Sequence, residues 1–271
     1  MTEIFILSMV FTLGTILSIV VFGLLIGWIE SACNTLIYRR FKDKGILITG
    51  FIGTTVHEFG HFIMCKVFRH NVIDVKWFST RIGASGELGH VRHSYEERSI
   101  YQRIGNFFIG VAPVLIGTLT LILSFRLLLP SSFSEIIKHT DFNNYLNMSN
   151  SFSIENFIET LSSSLWLILK ELFAFGNFID IKFYIFIIIA FSISMHMSLS
   201  RADLINSFDG IVFIYAVSLI LSIILIMVGV DYSIVLVAII KLNVILISFL
   251  SIGLLFSVIS YIISKLLTLN L

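Results

Sequence analysis

The sequence predicts an α-helical polytopic membrane protein of about six transmembrane helices, with a small membrane-associated β-hairpin among them. Of its 271 residues 57% are hydrophobic and only 13% charged, more apolar surface than a water-soluble domain of this length can hide. Several windows of about 20 residues carry almost no charge, the length a helix needs to cross roughly 30 Å of hydrocarbon. The most polar stretch, residues 69–103, breaks the helical pattern. There Ile73, Val75 and Trp77 alternate with polar neighbours and Gly83, Gly86 and Gly89 follow, a period of two that suits a hairpin.

Ile4 to Trp28 is the first expected span. It has no basic n-region, carries Glu3 instead, and is too long an apolar run for a signal-peptide core, so it reads as a retained helix. A charged connector, YRRFKDKG at residues 38–45, separates it from a second span over about Ile46 to Phe68. After the hairpin a third span covers roughly Ile104 to Leu129, where Pro113 removes one helical hydrogen bond and favours a kink. Residues 130–153, rich in Ser and Asn, are expected as loop. Ile154 to Phe173 sets Phe157, Leu161, Leu165, Ile168 and Leu172 at helical spacing yet keeps Glu155, Glu159, Lys170 and Glu171, which suits an amphipathic helix at the membrane surface. Ile179 to His196, Ile211 to Gly229 and Ser233 to Leu267 are the last three spans.

The chain, 1–271, therefore reads as a single membrane domain. Its core spans lie over about 46–130 and 179–212, a loop plus surface helix over 131–178, and C-terminal spans over 211–267. The expected location is integral to a membrane, that of a bacterial cell. A net charge of +1 without a dense basic cluster excludes a nucleic-acid partner. Cys33 and Cys65 lack CxxC spacing and read as buried free thiols. No feature of the sequence specifies an oligomeric state.

Within the second span stands TTVHEFGHFIMC, residues 54–65. On a helix His57 and His61 lie about 6 Å apart along the axis and face one way, so both imidazoles can ligate one zinc ion. Glu58 then stands beside the open coordination position, where it can take a proton from bound water. Ionisable groups inside a span cost about 2.5–3.5 kcal/mol each on insertion scales and usually mark function. Cys65 lies about 12 Å along the helix from His57, too far for one ion to reach both. The alternative is a set of polar residues that hydrogen-bond neighbouring helices.

A third ligand is needed if one position is to stay open for water. His70 is expected at the interface. His90, His93, Glu87, Glu96 and Glu97 could fold back from the polar region. Stronger candidates follow the fourth span: Asp203 in SLSRADL and Asp209 in SFDG, either of which completes a His2Asp site. Against this, Asp203 could be a helix-start carboxylate paired with Arg201, and Asp209 the N-cap of the fifth span. His196 is a weaker ligand candidate and reads rather as a buried polar contact to a neighbouring helix.

These residues resemble the intramembrane metalloproteases of the site-2 protease group, the M50-like peptidases. The match lies in GTTVHEFGH, then GELGHV, similar to the family's glycine-rich hairpin, then GNFFIGVAPVLIGT at residues 105–118. It covers approximately residues 46–130 and 179–212. The resemblance implies a late aspartate ligand. SFDG keeps the Asp-Gly pair of longer relatives, although no proline stands near it, and HMSLSRADL looks like the Ser-x-x-Asp pattern of compact relatives. Asp203 is favoured, with Asp209 retained as the alternative.

The expected function is that of a zinc-dependent endopeptidase with His57, His61 and Asp203 as metal ligands and Glu58 as base. Its partners would be the lipid bilayer and a membrane-spanning or membrane-adjacent peptide. The rival reading is a non-catalytic transporter, channel or immunity-type protein that uses the polar helix for binding.

Overall fold

The computed structural model describes residues 2–80, 88–139, 154–229 and 232–268. Helix α1, Thr2–Val67, takes in both of the first two expected spans and is broken at Lys42, whose φ of 54° and ψ of −147° are not helical. The break falls inside the charged connector, whose residues 38–44 are exposed. Strands β1, Asn71–Lys76, and β2, His90–Ser94, follow. They pair antiparallel, with Val75 opposite Val91 and an irregularity between Val72 and Asp74, which is the expected hairpin. Gly83 and Gly86, expected at its turn, lie outside the described residues.

Helix α2, Ile100–Leu128, starts at the Ser99 N-cap. Residues 130–139, expected as loop, instead form α3, Pro130–His139. Pro130 suits the first helical position, where its missing N–H costs nothing, and Ile136 is buried. The remainder of that expected loop, 140–153, lies outside the described residues. The amphipathic stretch is helical as α4, Ile154–Leu172, and α5 runs over Ile181–Ser194. Helix α6, Arg201–Val228, begins ten residues before the expected fifth span, because Ser200 and Asp203 form a capping box that ties two otherwise orphaned N–H groups. Helix α7 is Tyr232–Leu267.

Four helices are long and apolar enough to cross a membrane: Thr12–Val67, Ile100–Leu128, Ala202–Val228 and Ala238–Leu267. Ile181–Ser194 is apolar but shorter. A membrane protein follows from this, built mostly of helices with one two-stranded sheet.

The core centres on α2. Phe107, Val111, Leu121 and Phe125 are buried against Phe186 and Ile193 of α5 and Leu250 and Phe256 of α7. The Phe125, Phe186 and Phe256 rings contact in sequence at 5.2 and 5.5 Å. Where helices must approach closely the residues are small, as packing without a water-driven hydrophobic force demands. A Cβ at Gly110 of α2 would land on the Ser207 hydroxyl and within 2.6 Å of the Asp203 carbonyl, and one at Gly210 would meet the Phe107 backbone. These contacts bring the start of α6 against α2, and with it Asp203.

Gly110→Ala is expected to destabilise the protein by about 1–3 kcal/mol through this overpacking, read as a lower melting temperature in detergent. Gly176→Ala, whose Cβ would meet nothing within 4 Å, should leave that temperature unchanged.

Candidate metal centre

His57 and His61 lie on the second half of α1, one turn apart, with their Nε2 atoms 3.1 Å from each other. The opposite ring nitrogens are fixed by main-chain oxygens. His57 Nδ1 is 2.8 Å from the His196 carbonyl, and His61 Nδ1 is 2.8 Å from the Ile109 carbonyl. A carbonyl can only accept, so in each neutral ring Nδ1 carries the proton and Nε2 is bare.

Both carbonyls are ones that no helix uses. Ile109 stands four residues before Pro113 in α2, and the missing proline N–H is the donor that would otherwise claim that oxygen. The His196 carbonyl lies beyond the end of α5, in the connector to α6. Its ring meets Thr49 Oγ1 at 3.2 Å, the buried polar contact expected of it. One turn before His57, the Ser192 hydroxyl accepts from the Gly53 N–H and donates to the Thr49 carbonyl. It thereby bridges the i→i−4 pair of α1 and pins α5 to the metal helix.

Asp203 is the third residue of the first turn of α6. One carboxylate oxygen, Oδ2, accepts from the Ser200 N–H at 2.8 Å. The other, Oδ1, lies 3.3 Å from His61 Nε2. The ligand atoms of His57, His61 and Asp203 all lie within 4.8 Å of one another, the one such group among the described residues. Their bare acceptors repel when nothing lies between them. A single proton could join one pair, whereas one cation satisfies all three.

Asp209 is not part of this cluster. Far from being an N-cap, it sits two turns inside α6 and accepts from Arg103 Nη2 at 2.9 Å, Asn106 Nδ2 at 3.1 Å and the Tyr95 hydroxyl at 3.5 Å. Its carboxylate is consumed in tying α6 to α2 and the hairpin. Cys65 and Cys33 are free and buried. His90 pairs with Asp74 at 2.8 Å. Glu87 lies outside the described residues, while Glu96 and Glu97 are exposed.

Glu58 is 6% exposed and lines, with the three metal-site residues, a cavity of about 440 Å³. Gly89, just before β2, closes against it, since a Cβ there would come within 2.7 Å of Glu58 Cγ. One further charged residue of that cavity escaped the sequence reading. Glu30, on the first half of α1, accepts from the Ser198 N–H at 2.9 Å, while Gly23 and Gly27 on the same helix pack against Leu199 and Ser198. Together they clamp the connector that carries His196 towards Asp203. A lone carboxylate just past the end of the first apolar span was the available signal. His93 also lines the cavity; burial first, then the nearby His70 and His61, pushes its pKa down from 6.5 to about 4.

No protein-family model matches the chain, and no curated protein or solved structure matches it.

Three outcomes follow. Asp203→Ala should abolish metal retention after dialysis, whereas Asp209→Ala should retain metal and lose thermal stability. Pro113→Ala returns a competing N–H to the Ile109 carbonyl and should weaken metal affinity about tenfold in a chelator competition, the lower end for an outer-shell partner. His93 has a folded pKa below its unfolded one, so its contribution to stability is full above pH 6.5 and is lost as the pH falls towards 4. Hydrogen-exchange protection of β1 and β2, corrected for intrinsic rates, should decline over that window.

Proposed function

We propose that the chain is a zinc-dependent intramembrane endopeptidase, of the site-2 protease-like, M50 type that its sequence resembles. The observation that carries this reading is the convergence of three bare acceptors in a cavity that the buried Glu58 also lines. A donor set of two imidazoles and one carboxylate suits zinc with a position left for water. Zinc bound there would polarise a peptide carbonyl and bring the pKa of water towards about 7.

The protein's own groups supply the rest. Glu58 accepts the proton of the attacking water and returns it to the leaving amine nitrogen. The His196 and Ile109 carbonyls hold the two imidazoles in the tautomer that leaves Nε2 available. A helical substrate hides its main chain and must unwind to be cut. Strand β2, of which His90, Val91 and His93 line the cavity, offers an edge to which the unwound segment can add as a further strand. In this reading α1 crosses the membrane twice, once on each side of Lys42, and Ile181–Ser194 makes a short crossing, giving six.

A transporter, channel or immunity protein is the weaker reading, since none of them needs a buried carboxylate next to the first histidine. The test reconstitutes wild-type and Glu58→Gln protein with single-span peptides of varied sequence and measures bound metal and cleavage together. Glu58→Gln should keep the metal and lose about a hundredfold or more in cleavage rate, the range for a general base. Full cleavage by Glu58→Gln would sink the enzyme assignment.

A further inference from the structure

The wall of the cavity formed by β2 holds an imidazole that the proposed chemistry does not use. His70 Nε2 lies 2.8 Å from the Gln102 carbonyl oxygen. Because that oxygen only accepts, His70 Nε2 carries the proton and His70 Nδ1 is bare in the neutral ring. His93 Nδ1 is 3.0 Å from His70 Nδ1 and is therefore the donor of that bond. The neutral His93 ring is left with a bare Nε2, on the side of the ring turned away from His70, and His93 lines the cavity shared with His57, Glu58, His61 and Asp203.

The chain of bonds is rigid at its anchored end. His70 is 4% exposed, and the Tyr95 ring stacks on it with centroids 5.2 Å apart and planes 25° from parallel. Two bare nitrogens 3.0 Å apart could also suggest a second metal pair, but the Gln102 carbonyl fixes His70 for hydrogen bonding. No third ligand joins the two among the described residues.

A bare acceptor is what an unwound peptide lacks at this place. Each N–H released from a helix within the membrane costs several kcal/mol unless it finds a new partner. The metal site and Glu58 act on the carbonyl and the leaving nitrogen of the scissile bond, so a neighbouring N–H still needs an acceptor. We propose that His93 Nε2, kept bare by the chain from Gln102 through His70, is a fixed hydrogen-bond acceptor for a main-chain N–H flanking the scissile bond. His70 is then the positioning residue. This inference rests on the peptidase reading.

The test has two arms, both on the full chain in lipid nanodiscs. In the first, imidazole nitrogens are read by NMR in protein labelled with 15N-histidine, with the His93 signals assigned from their loss in His93→Gln. Wild-type His93 should be protonated at Nδ1 and bare at Nε2, and His70→Phe, which keeps the stack on Tyr95, should let the ring average between tautomers. A wild-type His93 protonated at Nε2 overturns the proposal. In the second arm, zinc-loaded protein binds an N-acyl leucyl-glycine hydroxamate and its analogue with an ester oxygen in place of the glycine N–H. The amide should bind wild type roughly five- to tenfold more tightly, the worth of one hydrogen bond, and His93→Ala should bring that ratio close to one. An unchanged ratio in His93→Ala also overturns it. Failure of wild type to bind either hydroxamate would instead strike at the metal reading, while the tautomer arm still decides whether the acceptor exists.

Discussion

Two main-chain carbonyls that no helix claims govern the candidate metal centre. The Ile109 oxygen is released by Pro113, and the His196 oxygen lies past the end of α5; they hold His61 and His57 by Nδ1. An imidazole without such a partner is free to put its proton on either nitrogen, and a ring protonated at Nε2 cannot ligate through that nitrogen. A residue usually read as a helix defect thus sets the chemistry of a histidine on another helix. The same bonds offset part of the cost of placing polar rings in an apolar bundle, since each ring's N–H is satisfied without water.

Around this constraint the bundle is built for close approach. Gly53 admits Ser192 into the ladder of α1, Gly110 admits the first turns of α6, and Gly89 admits Glu58 beneath the hairpin. The capping box of Ser200 and Asp203 makes one carboxylate serve two ends, with Oδ2 closing the helix start and Oδ1 turned to His61. The readings of Asp203 as a cap and as a metal ligand are therefore compatible. Asp209 shows the contrast: its oxygens are held by Arg103, Asn106 and Tyr95, and it acts as the latch between α6 and α2.

Local periodicity made His57, Glu58 and His61 legible in the sequence, because their relation needs only one turn of helix. Asp203 was favoured over Asp209 on the resemblance alone, since the partners that occupy Asp209 lie more than a hundred residues away in the chain. Ser-x-x-Asp was read, and it also marks the earlier start of α6. Other signals were present but unread: Pro130 marked α3, and counting four residues back from Pro113 identifies the free carbonyl at Ile109. The role of His93 was invisible for a different reason. It looks like any loop histidine until β1 and β2 pair and bring it to the cavity, which is a property of register and not of composition.

What the three acceptors hold decides whether this cluster is a metal centre. X-ray absorption at the zinc edge of the purified, metal-loaded protein measures this directly. Two imidazoles and one carboxylate oxygen are expected at about 2.0–2.2 Å, with room for a water ligand, and one imidazole contribution should be lost in His61→Ala. A thiolate sulfur at about 2.3 Å, or a zinc shell without histidine, would contradict this arrangement.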